Sequence, residues 1–271
     1  MIGPDALQRC CPLDNGRLAL DGASKKETVP GSLGPLGRIP AELISDILLD
    51  LDLRSLTNFR GVSRAARYLT DSLPHYQAIF THAPAMLRAY LSTQLGAFVS
   101  TRQLHRALCT ASCAGCNDFG PFLYLLSCRR VCFICLVHSA HFLPITLSEA
   151  QAIYTLDSAT SSTLPILLSL PGTYSNRQTT WRSRVPFVEK ETAKQAGIKL
   201  HGSTEGMTAA RRRNMEEDRL SGSGPHGHVQ WRLEDRSFSS FDNKESNPFR
   251  FMGVLRIPWL DLGAGDRVSE G

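Results

Sequence analysis

The stretch LGRIPAELISDILLDLDLRSLTNFRGVSRAARYLTDSL, residues 36–73, decides the fold. Its apolar residues fall at helical spacing: Leu43, Ile44, Ile47, Leu48 and Leu51, then Leu53, Leu56 and Phe59, then Val62, Ala66, Leu69 and Leu73. Three short helices fit this pattern. Pro40 suits a first turn, where a missing N–H leaves no bond unmade, and Glu42 lies near the positive end of the helix dipole. Asp50, Asp52 and Ser55 punctuate the next turns, Gly61 separates the second unit, and Ser63 is placed to cap the third helix. Helices this short are unstable alone. They are expected to pack on each other and on a partner.

Outward from this unit the chain changes character. Residues 1–35 are polar and contain Pro30-Gly31-Ser32-Leu33-Gly34-Pro35, which breaks helix and strand patterns, so they read as a disordered arm. Residues 36–74 form the three-helix unit. Residues 75–156 read as helical, with helices at about Pro84–Leu95 and Thr101–Leu108, the latter capped by Ser100, and a third opened by a Ser148-x-x-Gln151 capping box. Residues 157–217 are mixed, with a helix over 188–197 ended by Gly197. A Gly- and Ser-rich flexible linker spans 218–247, an apolar segment over 248–262 is expected to pack back on the body, and 263–271 is a tail. The fold class is therefore mainly α, with short strands or hairpins in a cysteine-rich part.

Composition narrows the function. With 30 Lys+Arg against 25 Asp+Glu the formal charge is +5, too mild to mark a polybasic binder of nucleic acid or acidic lipid. No apolar run approaches the roughly 18 residues of a membrane span. Met1-Ile2-Gly3-Pro4-Asp5 shows no basic run followed by an apolar stretch. The expectation is an intracellular protein, of cytoplasm or nucleus, whose thiols stay reduced and bind metal more readily than they pair.

Of the 8 cysteines, Cys109, Cys113, Cys116, Cys128, Cys132 and Cys135 cluster, while Cys10-Cys11 has no ligand spacing. Cys113-x-x-Cys116 and Cys132-x-x-Cys135 enclose fifteen residues, the spacing of a structural zinc site in which two knuckles complete a tetrahedron. A constant offset of 19 maps Cys109, Cys113 and Cys116 onto Cys128, Cys132 and Cys135, which suggests paired hairpin-like turns. Cys109, Cys128, His138 and His141 are the weaker ligand candidates, needed only if a second ion is held. The simpler reading is that the two cysteines pack as small apolar residues and that the two histidines lie at the surface or make hydrogen bonds. Between Ser72 and Ser148 the bases are Arg88, Arg102, Arg106, Arg129 and Arg130, against one acid, Asp118. Four thiolates on Zn²⁺ carry a net charge of about −2, which Arg129 and Arg130 are placed to offset. A closed four-thiolate site has no open position for substrate, so zinc here is structural.

Catalytic motifs are missing from the sequence: there is no Gly-x-x-x-x-Gly-Lys loop, no Gly-x-Ser-x-Gly elbow and no His-Glu-x-x-His pair. The chain reads as a non-enzyme. Arg211-Arg212-Arg213, followed by Glu216, Glu217 and Asp218, reads as a solvated helix face.

Leu36-Gly-Arg-Ile-Pro-Ala-Glu-Leu-Ile through Val62-Ser63-Arg64 resembles the F-box, a motif whose apolar helix faces dock on the Skp-type adaptor of a cullin–RING ubiquitin ligase. The matching positions are Ile39, Pro40, Leu43, Ile44, Ile47, Leu51, Leu56 and Val62; where many F-boxes place a Trp in the third helix, this chain has Ala66. Residues Leu108 to Cys135, Phe142-Leu-Pro, Ala196-Gly-Ile-Lys-Leu-His-Gly-Ser and Arg250 to Trp259 resemble segments of filamentous-fungal F-box proteins that carry four cysteines. The resemblance implies a substrate-receptor subunit with zinc as structural cofactor, a Skp-type adaptor and an unknown target as partners, and proximity as its mechanism. The alternative is a zinc-stabilised nucleic-acid or transcription-associated binder, which needs an uncompensated basic stripe at Arg102, Arg106, Arg129 and Arg130.

Overall fold

The computed structural model describes residues 1–3, 7, 33–174, 179–221, 247–261 and 267–269. In chain order the helices are α1 Ala41–Asp50, α2 Leu53–Val62, α3 Arg64–Ser72, α4 Pro74–His82, α5 Pro84–Ser92, α6 Thr101–Cys109, α7 Phe133–His138, α8 Leu147–Tyr154, α9 Ser158–Ser162, α10 Lys190–His201, α11 Thr204–Ser221 and α12 Phe249–Met252. The strands are β1 Phe122–Tyr124, β2 Arg129–Val131, β3 Pro144–Thr146, β4 Leu167–Leu168, β5 Gly172–Tyr174, β6 Thr179–Trp181, β7 Pro186–Glu189, β8 Val254–Arg256, β9 Trp259–Asp261 and β10 Arg267–Ser269. The protein is mainly α, and its strands are short. Cys10, Cys11, most of the expected arm and the linker over 222–246 lie outside the described residues.

The chain divides into two compact units, one of Ile2–Phe133 with Val254–Gly271 and one of Ile134–Gly253. In the first, α2 and α3 pack together and α4 lies on α6. Caps set the helix starts. Asp52 accepts the Ser55 N–H, Ser63 accepts the Ala66 N–H, and Ser100 with Gln103 closes a capping box. Pro40 sits at the N-cap of α1 rather than inside its first turn, and α2 runs through Gly61 to Val62 before Ser63 breaks it. Arg60 grips Asp71 with two hydrogen bonds, of 2.7 and 3.1 Å, which join α2 to α3. The helix α4 falls in the stretch read as helical from the sequence but is not among the helices named there, although Pro74 at its start is a suitable first-turn residue. At the chain start, Ile2 and Leu7 are buried and the Ile2 N–H donates to the Val254 carbonyl.

The second unit is built on the sheet β3-β7-β4, antiparallel throughout, with Ile145, Val188, Ala150, Tyr154, Ala193 and Met207 in its core. Its capping box is Thr146 with Glu149, two residues before the expected Ser148 and Gln151, because β3 leads directly into α8 and the turn falls at Thr146. Gly197 does not end a helix. It lies buried inside α10, where an added Cβ would stand 2.8 Å from both the Met207 Sδ and the Tyr154 carbonyl oxygen. The residue is Gly because α8 and α11 approach that closely, and the helix ends instead at Gly202, whose φ of 79° takes the left-handed C-cap. Likewise the helix α11 continues to Ser221, past the expected linker start at 218.

Candidate docking face and metal centre

On α1 the apolar residues divide between two directions. Ile44, Leu48 and Leu49 turn into the fold, whereas Leu43 and Ile47, one turn apart, are each 54% exposed. Val62, at the end of α2, is 76% exposed. Pro40 is exposed, and Ile39 and Leu51 are half-buried. Two of the eight positions marked by resemblance are not available to a partner as they stand. Ile44 is 7% exposed and Leu56 0%, so they hold the helices together from within. Leu36 and Tyr68, exposed at 42% and 50%, are accessible apolar groups that the sequence reading passed over. Periodicity alone cannot separate a helix face turned to the core from one turned to solvent. Ala66 is 1% exposed, with its N–H held by Ser63 Oγ, so this position belongs to the interior.

The cysteine group forms at the end of α6. Cys113 and Cys116 sit on a turn braced by Cys113 N–H to the Asp118 carbonyl, 2.6 Å, and Asn117 N–H to the Cys113 carbonyl, 3.0 Å. Asn117 takes the left-handed conformation there, φ 66°. The hairpin β1–β2 follows and carries the chain back, so that Cys132 directly succeeds β2 and Cys135 lies in the first turn of α7. The division between units falls inside α7, and the position of Cys135 follows from that one short turn after Cys132. Gly120 permits the closure: a Cβ there would stand 3.1 Å from both the Arg130 Cβ and the Val131 nitrogen and 3.3 Å from the Cys113 Cα.

The sulfurs of Cys113, Cys116, Cys132 and Cys135 all lie within 4.8 Å of one another, and those of Cys116 and Cys132 are 3.6 Å apart. A tetrahedral ion with Zn–S bonds of about 2.3 Å spaces its sulfurs about 3.8 Å apart, so the donor set fits such an ion. Cys113 is buried, and its sulfur accepts the N–H groups of Gly115 and Cys132 at 3.3 and 3.2 Å. Burial pushes this thiol up, but the N–H donors of Cys132, Gly115 and Cys116 outweigh it and bring it down to about 7. Such a sulfur is ready to bind metal. The four cysteines can hold a metal ion.

The weaker ligand candidates stand apart from this group. Cys109 is the last residue of α6, with its sulfur 3.5 Å from His105 Nε2. Cys128 lies in the turn of the hairpin at φ 52°, and burial pushes its thiol up to about 11, against a hydrogen bond from Tyr90 that lowers it. A thiol so raised is inert. His138 and His141 are exposed. The offset of 19 is therefore not a structural repeat, since one knuckle is a loop that follows a helix and the other links a strand to a helix.

Arg130 does not lie against the thiolates to balance them. It is 2% exposed, and its guanidinium donates to the carbonyls of Ala107, at 2.7 Å, Gly120, at 2.8 Å, Leu108, at 3.2 Å, and Pro258. Two of these are carbonyls from the last turn of α6, which otherwise lack partners. Burial lowers the guanidinium to about 10, so it remains charged near neutrality. Arg102 pairs with Asp50 and Asp46 at 2.8 and 3.6 Å, which leaves Arg106 and Arg129 of the four arginines a basic stripe would need. Beside Arg130, the Trp259 Nε1 donates to the Cys109 carbonyl and β8 pairs with β1, so the returning chain lies on the hairpin.

Residues 36–77 match the F-box domain. The match covers α1 to α3 and enters α4, and it fits the expectation drawn from Leu36 to Arg64. F-box domains are in general non-catalytic docking modules that bind a Skp-type adaptor. No curated protein and no solved structure matches the chain. Among the described residues no helix is long and apolar enough to cross a membrane.

Proposed function

We propose that the chain is a substrate-receptor subunit of a Skp–cullin–RING ubiquitin ligase, of the filamentous-fungal kind that pairs an F-box with a four-cysteine segment. Its F-box docks on the adaptor, and the remainder of the chain holds a target protein near the ubiquitin-charged enzyme. The gain is one of effective concentration, with no covalent step in this chain. One observation carries the reading. Within the matched region, Leu43 and Ile47 form an apolar pair on α1 that the fold leaves uncovered, opposite a face it buries. Buried anchors of this kind contribute about 2 kcal/mol each when they fill a partner's pockets. Zinc is the metal proposed for the four cysteines, in a structural role, since four sulfur ligands leave no position for a reacting molecule.

Co-purification with the Skp-type adaptor tests the docking. A Leu43→Asp/Ile47→Asp variant is expected to lose the adaptor while keeping its thermal stability, because both side chains are exposed. Undiminished binding by that variant places the interface elsewhere. Ile44→Asp is unsuited to the purpose, since it would put a charge in the core.

A further inference from the structure

We infer that Cys116 and Cys132 form a peroxide-sensitive latch, which exchanges the bound metal for a disulfide between the two knuckles. This rests on the reading of the four cysteines as a metal centre. Cys116 is the exposed member of the group, and the Cys132 sulfur lies 3.6 Å from its own. Cys113, by contrast, is 1% exposed, and its sulfur is turned to the N–H groups of Gly115 and Cys132. A solute therefore meets Cys116 first. Backbone groups join the knuckles as well as the sulfurs: the Ala114 N–H donates to the Arg130 carbonyl at 2.8 Å, and Gly120 lets the loop close on β2. Loss of one metal–sulfur bond thus leaves the second sulfur within reach.

The chemistry balances with hydrogen peroxide as oxidant. The Cys116 thiolate attacks one peroxide oxygen, the O–O bond breaks, and a sulfenic acid forms as the other oxygen leaves as hydroxide, which takes a proton to become water. The Cys132 sulfur then attacks the Cys116 sulfur. An S–S bond forms, the S–O bond breaks, the Cys132 thiolate gives up its bond to the metal, and the departing hydroxide takes a proton from solvent and leaves as water. Two thiolates have lost two electrons, and one peroxide with two solvent protons has become two waters. Cys113 and Cys135 alone cannot complete a tetrahedron, so the metal leaves. The disulfide closes the same loop that the metal closed. The hairpin is accordingly expected to survive the exchange.

The test uses the zinc-loaded full chain in a Cys10→Ser/Cys11→Ser background, titrated with hydrogen peroxide. Released zinc is read with a chromogenic chelator, free thiols are trapped with N-ethylmaleimide, and the linkage is mapped by mass spectrometry. The expected result is release of about one zinc ion for about two thiols lost, with a Cys116–Cys132 linkage that dithiothreitol and added zinc reverse. Mapped bonds confined to Cys113–Cys116 or Cys132–Cys135, or zinc retained with every thiol reduced, overturn the latch. Should the reduced chain bind no zinc at all, the metal reading fails, and the mapped linkage still decides whether this pair is the oxidisable one. A Cys116→Ser variant supplies a second check: its Cys132 should stay a free thiol under the same peroxide, and loss of that thiol as fast as in the parent chain overturns the latch.

Discussion

The F-box helices and the loop of Cys113 and Cys116 belong to one unit and are held up in opposite ways. Between α1 and α3 the chain buries Leu48, Leu53, Leu56 and Ala65, and ordinary apolar packing accounts for the arrangement. Between Ala111 and Gly120, only Cys113 and Gly120 are buried. That stretch has almost no core of its own. Its shape comes from sulfur donors, from hydrogen bonds between backbone groups and from one arginine that gathers carbonyls from four places. Apolar packing tolerates adjustment, whereas a donor set has one geometry, so the two regions should fail under different insults.

Metal removal should separate them most sharply. Structural zinc binding is worth on the order of 10 kcal/mol, and a Cys113→Ser chain or one stripped by a strong chelator should lose amide-exchange protection over 111–120 while α1 to α3 keep theirs. Loss of protection in both regions together would show that they are one cooperative block. Leu56→Ala attacks the other region. With a side chain 0% exposed, it should cost about 2–5 kcal/mol and weaken adaptor binding, yet leave zinc content unchanged. Arg130→Met comes next. It orphans the carbonyls of Ala107, Leu108, Gly120 and Pro258, so a loss of about 2–3 kcal/mol is expected in urea unfolding, with faster exchange at the Ile257 N–H that donates to Pro121.

The smallest effect is one of pH, and it concerns the packing of α4 on α6. His75 and His105 lie with ring centroids 4.2 Å apart, and burial, with Arg102 adding to it, holds the His75 imidazole below its ordinary range. The folded chain then binds a proton at His75 less readily than the unfolded chain does. Stability should be complete above the unfolded value of about 6.5 and fall as the pH drops through it toward the lower folded value. Thermal melts at pH 7.5 and 5.5 check this, and His75→Gln should reduce the difference.

Much of this was legible in the sequence, and what was not has physical reasons. Helical spacing in 36–73 marks α1 to α3, and Ser63 and Ser100 announce the starts of α3 and α6, because those signals are local. Knuckle spacing identifies the four cysteines for the same reason. The helix α4 escaped because its buried residues, Tyr76 and Ile79, make a single turn of apolar pattern within nine residues. Gly197 looked like a helix stop because its true cause, Tyr154 and Met207 pressing on it, lies on two other helices. Arg130 looked like a counter-charge because its acceptors are backbone carbonyls, up to 128 residues distant, and carbonyls leave no trace in composition.

The doublet Arg129-Arg130 has one more consequence. Strand alternation turns Arg129 outward and Arg130 inward, so a one-residue slip of β2 that carries Arg129 into the place of Arg130 would still offer a guanidinium to the interior carbonyls. The arginines alone therefore cannot tell the right pairing from its neighbour. The sulfurs can: the same slip would carry Cys132 about 3.3 Å along the strand, far beyond the roughly 0.2 Å that a metal–sulfur bond tolerates. The ion would then act as the proofreader of the hairpin, admitting the one alignment in which all four sulfurs converge.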